Sequence, residues 1–244
     1  MSDTNDQLIL IGGYSGTGKS ASLRNLRNQD RWLYLGTEAG KRLPFKNKFQ
    51  VARVEDPMQV LDTFDYATDN KDVDGIIIDS LTFLMDMYET MYVLTSANTM
   101  QAWGNYAQFF KILMQQKVTR FGKPVIITAH TRDDLDEKAM EMKTAVPIKG
   151  SLRSNGIEAY FSTVVAAKKM TLKDLEPYAS KLLNITDEER MLGFKHVFQT
   201  RITKSTTGER IRSPMGLFDA KEGFMDNDAQ ILLDHLTSFR NRSS

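Results

Sequence analysis

The sequence predicts an α/β fold: a mainly parallel sheet sandwiched by helices, with a C-terminal β-hairpin region. Three observations carry this expectation. Leu8-Ile9-Leu10-Ile11, Ile76-Ile77-Ile78 and Val125-Ile126-Ile127 are short unbroken apolar runs, as strands buried on both faces require. Strand, long helical crossover and strand again is the signature of parallel pairing. The first run also leads directly into a glycine-rich segment that ends Gly18-Lys19-Ser20.

The elements follow in order. Gly12 and Gly13 end the first strand, and a helix is expected from near Lys19, carrying Ala21, Leu23 and Leu26. Trp32-Leu33-Tyr34-Leu35 reads as a second strand and Val51-Ala52-Arg53-Val54 as a short third. Asp56-Pro57 opens a helix, with Asp as cap and Pro at the first helical position. Leu61, Phe64 and Tyr66 follow within it. Gly75 to Asp79 is a buried strand. Helical stretches over Phe83 to Leu94 and Trp103 to Phe121 separate it from the strand Pro124 to Thr128. Trp103, Tyr106, Phe109, Phe110, Leu113 and Met114 recur at helical spacing, which marks a core-facing stripe.

Beyond His130 the character changes. Residues 131–149 mix charges with few apolar side chains and read as a mobile loop. Phe161 to Ala167 is a strand, and 171–193 is a polar, helical insertion. Phe198 to Thr203 and Glu209 to Arg212 suggest a hairpin about Thr206-Thr207-Gly208, and Ala229 to Phe239 a final helix. No repeat or low-complexity tract interrupts this, so residues 1–244 are read as one domain behind a polar tail, 1–7.

Composition sets limits. Of 244 residues, 41% are hydrophobic and 26% charged, enough apolar material for a sizeable core. Cysteine is absent, which excludes a disulfide scaffold, a zinc finger and a thiol nucleophile. Lys and Arg total 32 against 31 Asp and Glu, so any nucleic-acid site is local. No apolar run approaches a membrane span, and the acidic tail is unlike a secretory or mitochondrial leader. A soluble, cytoplasmic protein is expected.

Gly13-Tyr14-Ser15-Gly16-Thr17-Gly18-Lys19-Ser20 fits the phosphate-loop pattern G-x-x-x-x-G-K-[ST] at every fixed position. Glycines let the backbone curl so that its N–H groups point at phosphate oxygens. Lys19 reaches the β- and γ-phosphates of such a ligand, and Ser20 offers a hydroxyl to Mg²⁺. Gly13, Ser15, Gly16, Thr17, Gly18, Lys19, Ser20 and Ala21 are therefore the candidate nucleotide contacts. The bland alternative is a chance glycine-rich turn. Asp79 ends a central strand, where a carboxylate can hold the Mg²⁺ shell. As Asp79-Ser80 precedes a helix, a simple cap is its alternative role.

The second strand ends Gly36-Thr37-Glu38, and the strand at 124–128 runs on to Ala129-His130. Together with the phosphate loop, these ends resemble the RecA family. The resemblance runs from about Leu8 to about Leu217. It implies a Mg²⁺-dependent ATPase in which Glu38 aligns the attacking water and His130 senses the γ-phosphate. Val146-Pro147-Ile148-Lys149-Gly150 is similar to the end of a DNA-binding loop in that family, which makes Lys143, Lys149 and Arg153, along with Lys138, candidates for single-stranded DNA. Asp133, Asp134, Asp136, Glu137 and Glu141 offset them, so a solvated mixed-charge loop stays open. Between Lys195 and Arg212 the only acid is Glu209. This late basic segment resembles the family's finger region, in which Arg201 and Lys204 would reach a neighbouring subunit's ATP. A solvated basic face is its alternative.

The nearest relatives suggested are small phage-type, core-only recombination and annealing ATPases. The expected partners are single-stranded DNA, further copies of the chain and a single-strand-binding protein. The sequence leaves two rivals. One is a regulatory ATPase with protein partners and no DNA. The other is a phosphotransferase, disfavoured because the 131–153 segment holds only Arg132 and Arg153 as arginines for a lid.

Overall fold

A computed structural model describes residues 5–38, 40–137 and 140–243, apart from the side chains of Asn155 and Ser243. The strands are β1 (Leu8–Gly13), β2 (Trp32–Gly36), β3 (Gln50–Arg53), β4 (Gly75–Asp79), β5 (Val125–His130), β6 (Arg132–Asp136), β7 (Glu141–Ala145), β8 (Thr163–Thr171), β9 (Phe194–Gln199) and β10 (Phe224–Asp226). Eight of them form one sheet in the order β10-β9-β8-β1-β5-β4-β2-β3. From β3 across to β8 neighbouring strands are parallel. At the other edge β9 runs antiparallel to both β8 and β10.

The unbroken apolar runs are explained by what lies on the two faces. Alternate side chains of a strand point to opposite sides. Leu8, Leu10, Ile76, Ile78, Val125 and Ile127 enter one core, whereas Ile9, Ile11, Ile77 and Ile126 enter the other. Each such side chain contributes roughly 1.5–3 kcal/mol by leaving water. The first core is covered by α1 (Met58–Asp69), α2 (Leu81–Tyr88) and α3 (Thr99–Ile112), the last of which continues through a π-helical turn into α4 (Thr119–Phe121). The aromatic stripe on α3 is core: Tyr106, Phe109, Phe110, Leu113 and Met114 are buried.

Short helices α5 (Leu152–Asn155), α6 (Leu172–Leu175) and α7 (Asp187–Leu192) follow. The last two belong to the polar insertion, and α7 opens with a capping box between Thr186 and Glu189. The second core is covered by Leu23, Leu26 and the C-terminal helix α8 (Ala229–Ser243), through Leu232, Leu233 and Leu236.

Three expectations are corrected. The segment after Lys19 is a six-residue 3-10 helix, Ser20–Asn25. Leu23 and Leu26 are buried as expected, but the left-handed Asn28 turns the chain into β2 before a longer helix can form. Residues 132–145, expected as a loop, form the antiparallel hairpin β6–β7 with Asp134 opposite Lys143. Its strands are joined by polar pairs, such as Thr144 with Asp133 and Lys143 with Asp136, so no apolar alternation announced them. The C-terminal antiparallel region is present, but Phe198 faces Ala167 and Met225 across the sheet, with no partner in 209–212. Arg212 instead exchanges backbone hydrogen bonds with Val164.

Candidate functional site

The phosphate loop lies at the C-terminal end of β1, where Gly13 stands beside His130 of β5. A side chain at Gly13 would meet the Ala167 carbonyl at 2.7 Å, so only glycine fits between β1 and β8. Gly18 takes φ +93°, a left-handed conformation that favours glycine. Inside the loop Lys19 curls back, its Nζ donating to the carbonyls of Gly13 at 2.9 Å and Tyr14 at 2.8 Å. Only 7% of Lys19 is exposed. Burial lowers its pKa to about 8; the Asp79 carboxylate opposes that shift and Lys41 adds to it.

A cleft of about 900 Å³ opens in front of the loop, lined by Ser15, Gly16, Gly18, Lys19, Ser20 and Ala21. It also takes in Glu38, Asp79 and His130, from the ends of three other strand segments. The structure thus brings the strand-end candidates to one place, the C-terminal edge of a parallel sheet where such folds bind ligands. Gly13 lines a separate apolar cavity of about 70 Å³ behind the loop. Thr17 turns its hydroxyl back onto the Tyr14 carbonyl at 2.9 Å.

Asp79 is buried, and both its oxygens have neutral donors: Tyr34 Oη on Oδ2 at 2.8 Å and Thr128 Oγ1 on Oδ1. Its side chain therefore does not cap α2, and its position in the cleft suits a cation beside Ser20. Glu38 is half-buried and paired with Lys41 at 2.7 Å. The backbone N–H of His130 donates to Thr82 Oγ1 at 2.9 Å, and its ring stands edge-on to Phe83. Burial, and then the Lys19 charge, push the imidazole pKa down, so the ring favours its neutral form.

The oxygen donors fit Mg²⁺. Ser20 and Asp79 line one small recess together with Glu38. The described residues contain no cluster of three or more His, Cys, Asp or Glu able to hold a metal by themselves. Ser20 and Asp79 would hold such an ion through one or two protein oxygens, leaving its other positions to phosphate and water. Bound there, Mg²⁺ would neutralise charge on the β- and γ-phosphate oxygens. The chain's own groups can supply the rest: Lys19 a cation, the loop its amides, Glu38 a carboxylate for aligning water.

The remaining candidates lie outside the cleft. Arg201 donates to the Phe218 carbonyl at 2.7 Å, and Lys204 is exposed. Lys143 pairs with Asp136, and Lys149 with Glu89 at 2.6 Å. Arg153 is exposed on α5, whereas Lys138 lies outside the described residues. Sequence reading missed the far wall of the cleft, which holds Arg24, Lys195, His196 and Asn227. Lys195 is buried between Glu189 and Asp226. Arg24 lies on the 3-10 helix that follows the loop, whereas Lys195, His196 and Asn227 follow no motif spacing and are carried to the loop by the antiparallel edge of the sheet.

No helix among the described residues is long and apolar enough to cross a membrane. No curated protein matches the chain. A family model described as an AAA domain matches residues 5–206, a span that holds the phosphate loop, Glu38, Asp79 and His130. With a parallel sheet, a phosphate loop on its first strand and carboxylates at the neighbouring strand ends, the chain belongs to this AAA-domain family of P-loop ATPases.

Proposed function

We propose that the protein is a Mg²⁺-dependent ATPase that binds or anneals single-stranded DNA in recombination or repair, with nucleotide state setting its grip on the strand. One relationship carries this reading. The phosphate loop and the β6–β7 hairpin are joined: the Thr131 N–H, one residue before β6, donates to the Gly13 carbonyl at 3.2 Å, and Tyr14 shares a cavity wall with Thr144, which donates to Asp133 at 2.6 Å. The hairpin itself grows from β5, the strand that ends in His130. A shift at the phosphates therefore has a short mechanical path to the hairpin and to Lys143, Lys149 and Arg153.

The basic segment is joined to the same hairpin, because the backbone N–H of Thr144 donates to the Gly208 carbonyl at 3.0 Å. In a homo-oligomer, Arg201 or Lys204 of one copy would complete the site of its neighbour and stabilise charge on the transferred phosphoryl group. The Lys143 and Lys149 ammonium groups are themselves exposed, so each could exchange its carboxylate partner for a DNA phosphate.

A second reading has its own support. Leu135, Met140 and Met142 of the hairpin are exposed, and such a tip suits a protein partner of a regulatory ATPase. Anisotropy of a labelled single-stranded oligonucleotide separates the two. The DNA reading expects binding that strengthens with Mg²⁺ and a non-hydrolysable ATP analogue and weakens steeply with salt. Absence of binding under all these conditions would leave the protein-partner reading.

A further inference from the structure

The far wall of the cleft grips the phosphate loop at one atom. The carbonyl oxygen of Thr17 lies 3.2 Å from His196 Nδ1 and 3.4 Å from Asn227 Nδ2. A carbonyl can only accept, so His196 carries its hydrogen on Nδ1 here. His196 stands on β9, and Asn227 on the turn between β10 and α8. That turn is itself fastened to the 3-10 helix after the loop, since Arg24 donates to the Asn227 carbonyl at 3.0 Å and Asn25 to Asp228 at 2.5 Å. The Asn227 amide also packs on Gly18, where an added Cβ would come within 3.1 Å of Nδ2. Only 4% of Asn227 is exposed.

The consequence follows from peptide geometry. The Thr17–Gly18 peptide is trans, so its C=O and N–H point in opposite directions. Holding the Thr17 oxygen against His196 and Asn227 turns the Gly18 N–H away from both side chains. That N–H has no acceptor among the described residues. Were the peptide to rotate, a carbonyl dipole would face the phosphates and repel them.

We propose that His196 and Asn227 are positioning residues for the nucleotide, which fix the Gly18 N–H as a phosphate donor by clamping the Thr17 carbonyl. Asn227 lies beyond residue 206, where the family match ends. The inference rests on the nucleotide-binding reading of the phosphate loop and is independent of DNA.

The test uses the full-length chain, a fluorescent ATP analogue with Mg²⁺, and steady-state hydrolysis. His196→Ala and Asn227→Ala should each raise Kd and KM for ATP about tenfold, the effect of one lost hydrogen bond to a charged group. The kcat should stay within about threefold, because the lost contact is made equally in ground and transition states. His196→Asn should restore tight binding, since its amide nitrogen branches from Cγ as Nδ1 does, whereas His196→Leu should not. Melting temperature without nucleotide reports packing separately. Should the His196 variants not fold, Asn227→Ala alone carries the same expectation.

Variants that bind ATP as the native chain does would overturn the clamp, as would His196→Asn behaving like His196→Leu. A native chain that binds no ATP, with Lys19→Ala indistinguishable from it, would instead overturn the phosphate-loop reading underneath.

Discussion

Tyr34 donates its phenolic hydrogen to Oδ2 of Asp79 across 2.8 Å. Burial first, and then the neighbouring carboxylate, push the Tyr34 pKa far up, so the phenol remains a donor throughout the working range of pH. Thr128 holds the other oxygen. The two neutral donors thereby fix the direction of the carboxylate in the cleft beside Ser20, the orientation a Mg²⁺-binding role would use. Tyr34→Phe should raise the Mg²⁺ concentration for half-maximal hydrolysis about tenfold, the effect of one hydrogen bond to a charged group. A Mg²⁺ titration of ATPase activity reads this directly. An unchanged midpoint would mean that Tyr34 only packs.

Lys19 gives a pH dependence whose sign can be worked out. Its pKa in the ligand-free chain is about 8, below the ordinary lysine value. Bound phosphate stabilises the ammonium and raises that pKa again. Between the two values binding takes up a proton, so ATP affinity should be level below about pH 7.5 and fall as pH rises through about 8. Lys19→Arg cannot lose its charge in this range, and whatever affinity it retains should stay flat. Affinity of the native chain that is level to pH 9.5 would contradict the buried, depressed ammonium.

Glu38→Gln separates binding from turnover. The substitution keeps the shape but removes the charge that can align water and the pairing with Lys41 at 2.7 Å. Hydrolysis should fall by about 10² or more, within the range of general-base contributions. Affinity for ATP should change by less than about threefold, because ground-state binding does not use that carboxylate. Single-turnover hydrolysis beside equilibrium binding provides the check. Equal loss of both would move Glu38 from the reaction to the architecture of the cleft.

The DNA assignment makes a quantitative claim about salt. If Lys143, Lys149 and Arg153 each neutralise one phosphate, replacing all three by Ala should flatten the slope of log K against log salt by about 2 for a single strand. A triple variant with an unaltered slope would place the strand elsewhere. Loss of affinity with no change of slope would point to a damaged hairpin.

How much was legible in the sequence follows from what kind of signal each part leaves. Strands buried on both faces must be apolar at every position, so Ile76 to Ile78 and Val125 to Ile127 announced themselves. The loop through Lys19 carries a fixed spacing because backbone curvature and a lysine reach are geometric demands. Glu38, Asp79 and His130 were legible because parallel strands deliver their C-terminal ends to one edge. The β6–β7 hairpin was not, since Asp133, Thr144, Asp136 and Lys143 pair through polar groups and bury no face. His196 and Asn227 left no local trace either. They reach Thr17 only because β9 and β10 add to the sheet antiparallel beyond β8, a pairing fixed by tertiary packing of Phe198 and Met225.

The most direct test of the account is Mg²⁺-ATP hydrolysis by the full chain with and without single-stranded DNA, with Lys19→Ala as the blank. The account predicts turnover that disappears in Lys19→Ala and rises at least about tenfold with DNA, as an ordered finger or hairpin stabilises charge on the transferred phosphoryl group. Turnover that is lost in Lys19→Ala yet indifferent to DNA, from a chain that also fails to bind the strand, would contradict the DNA assignment.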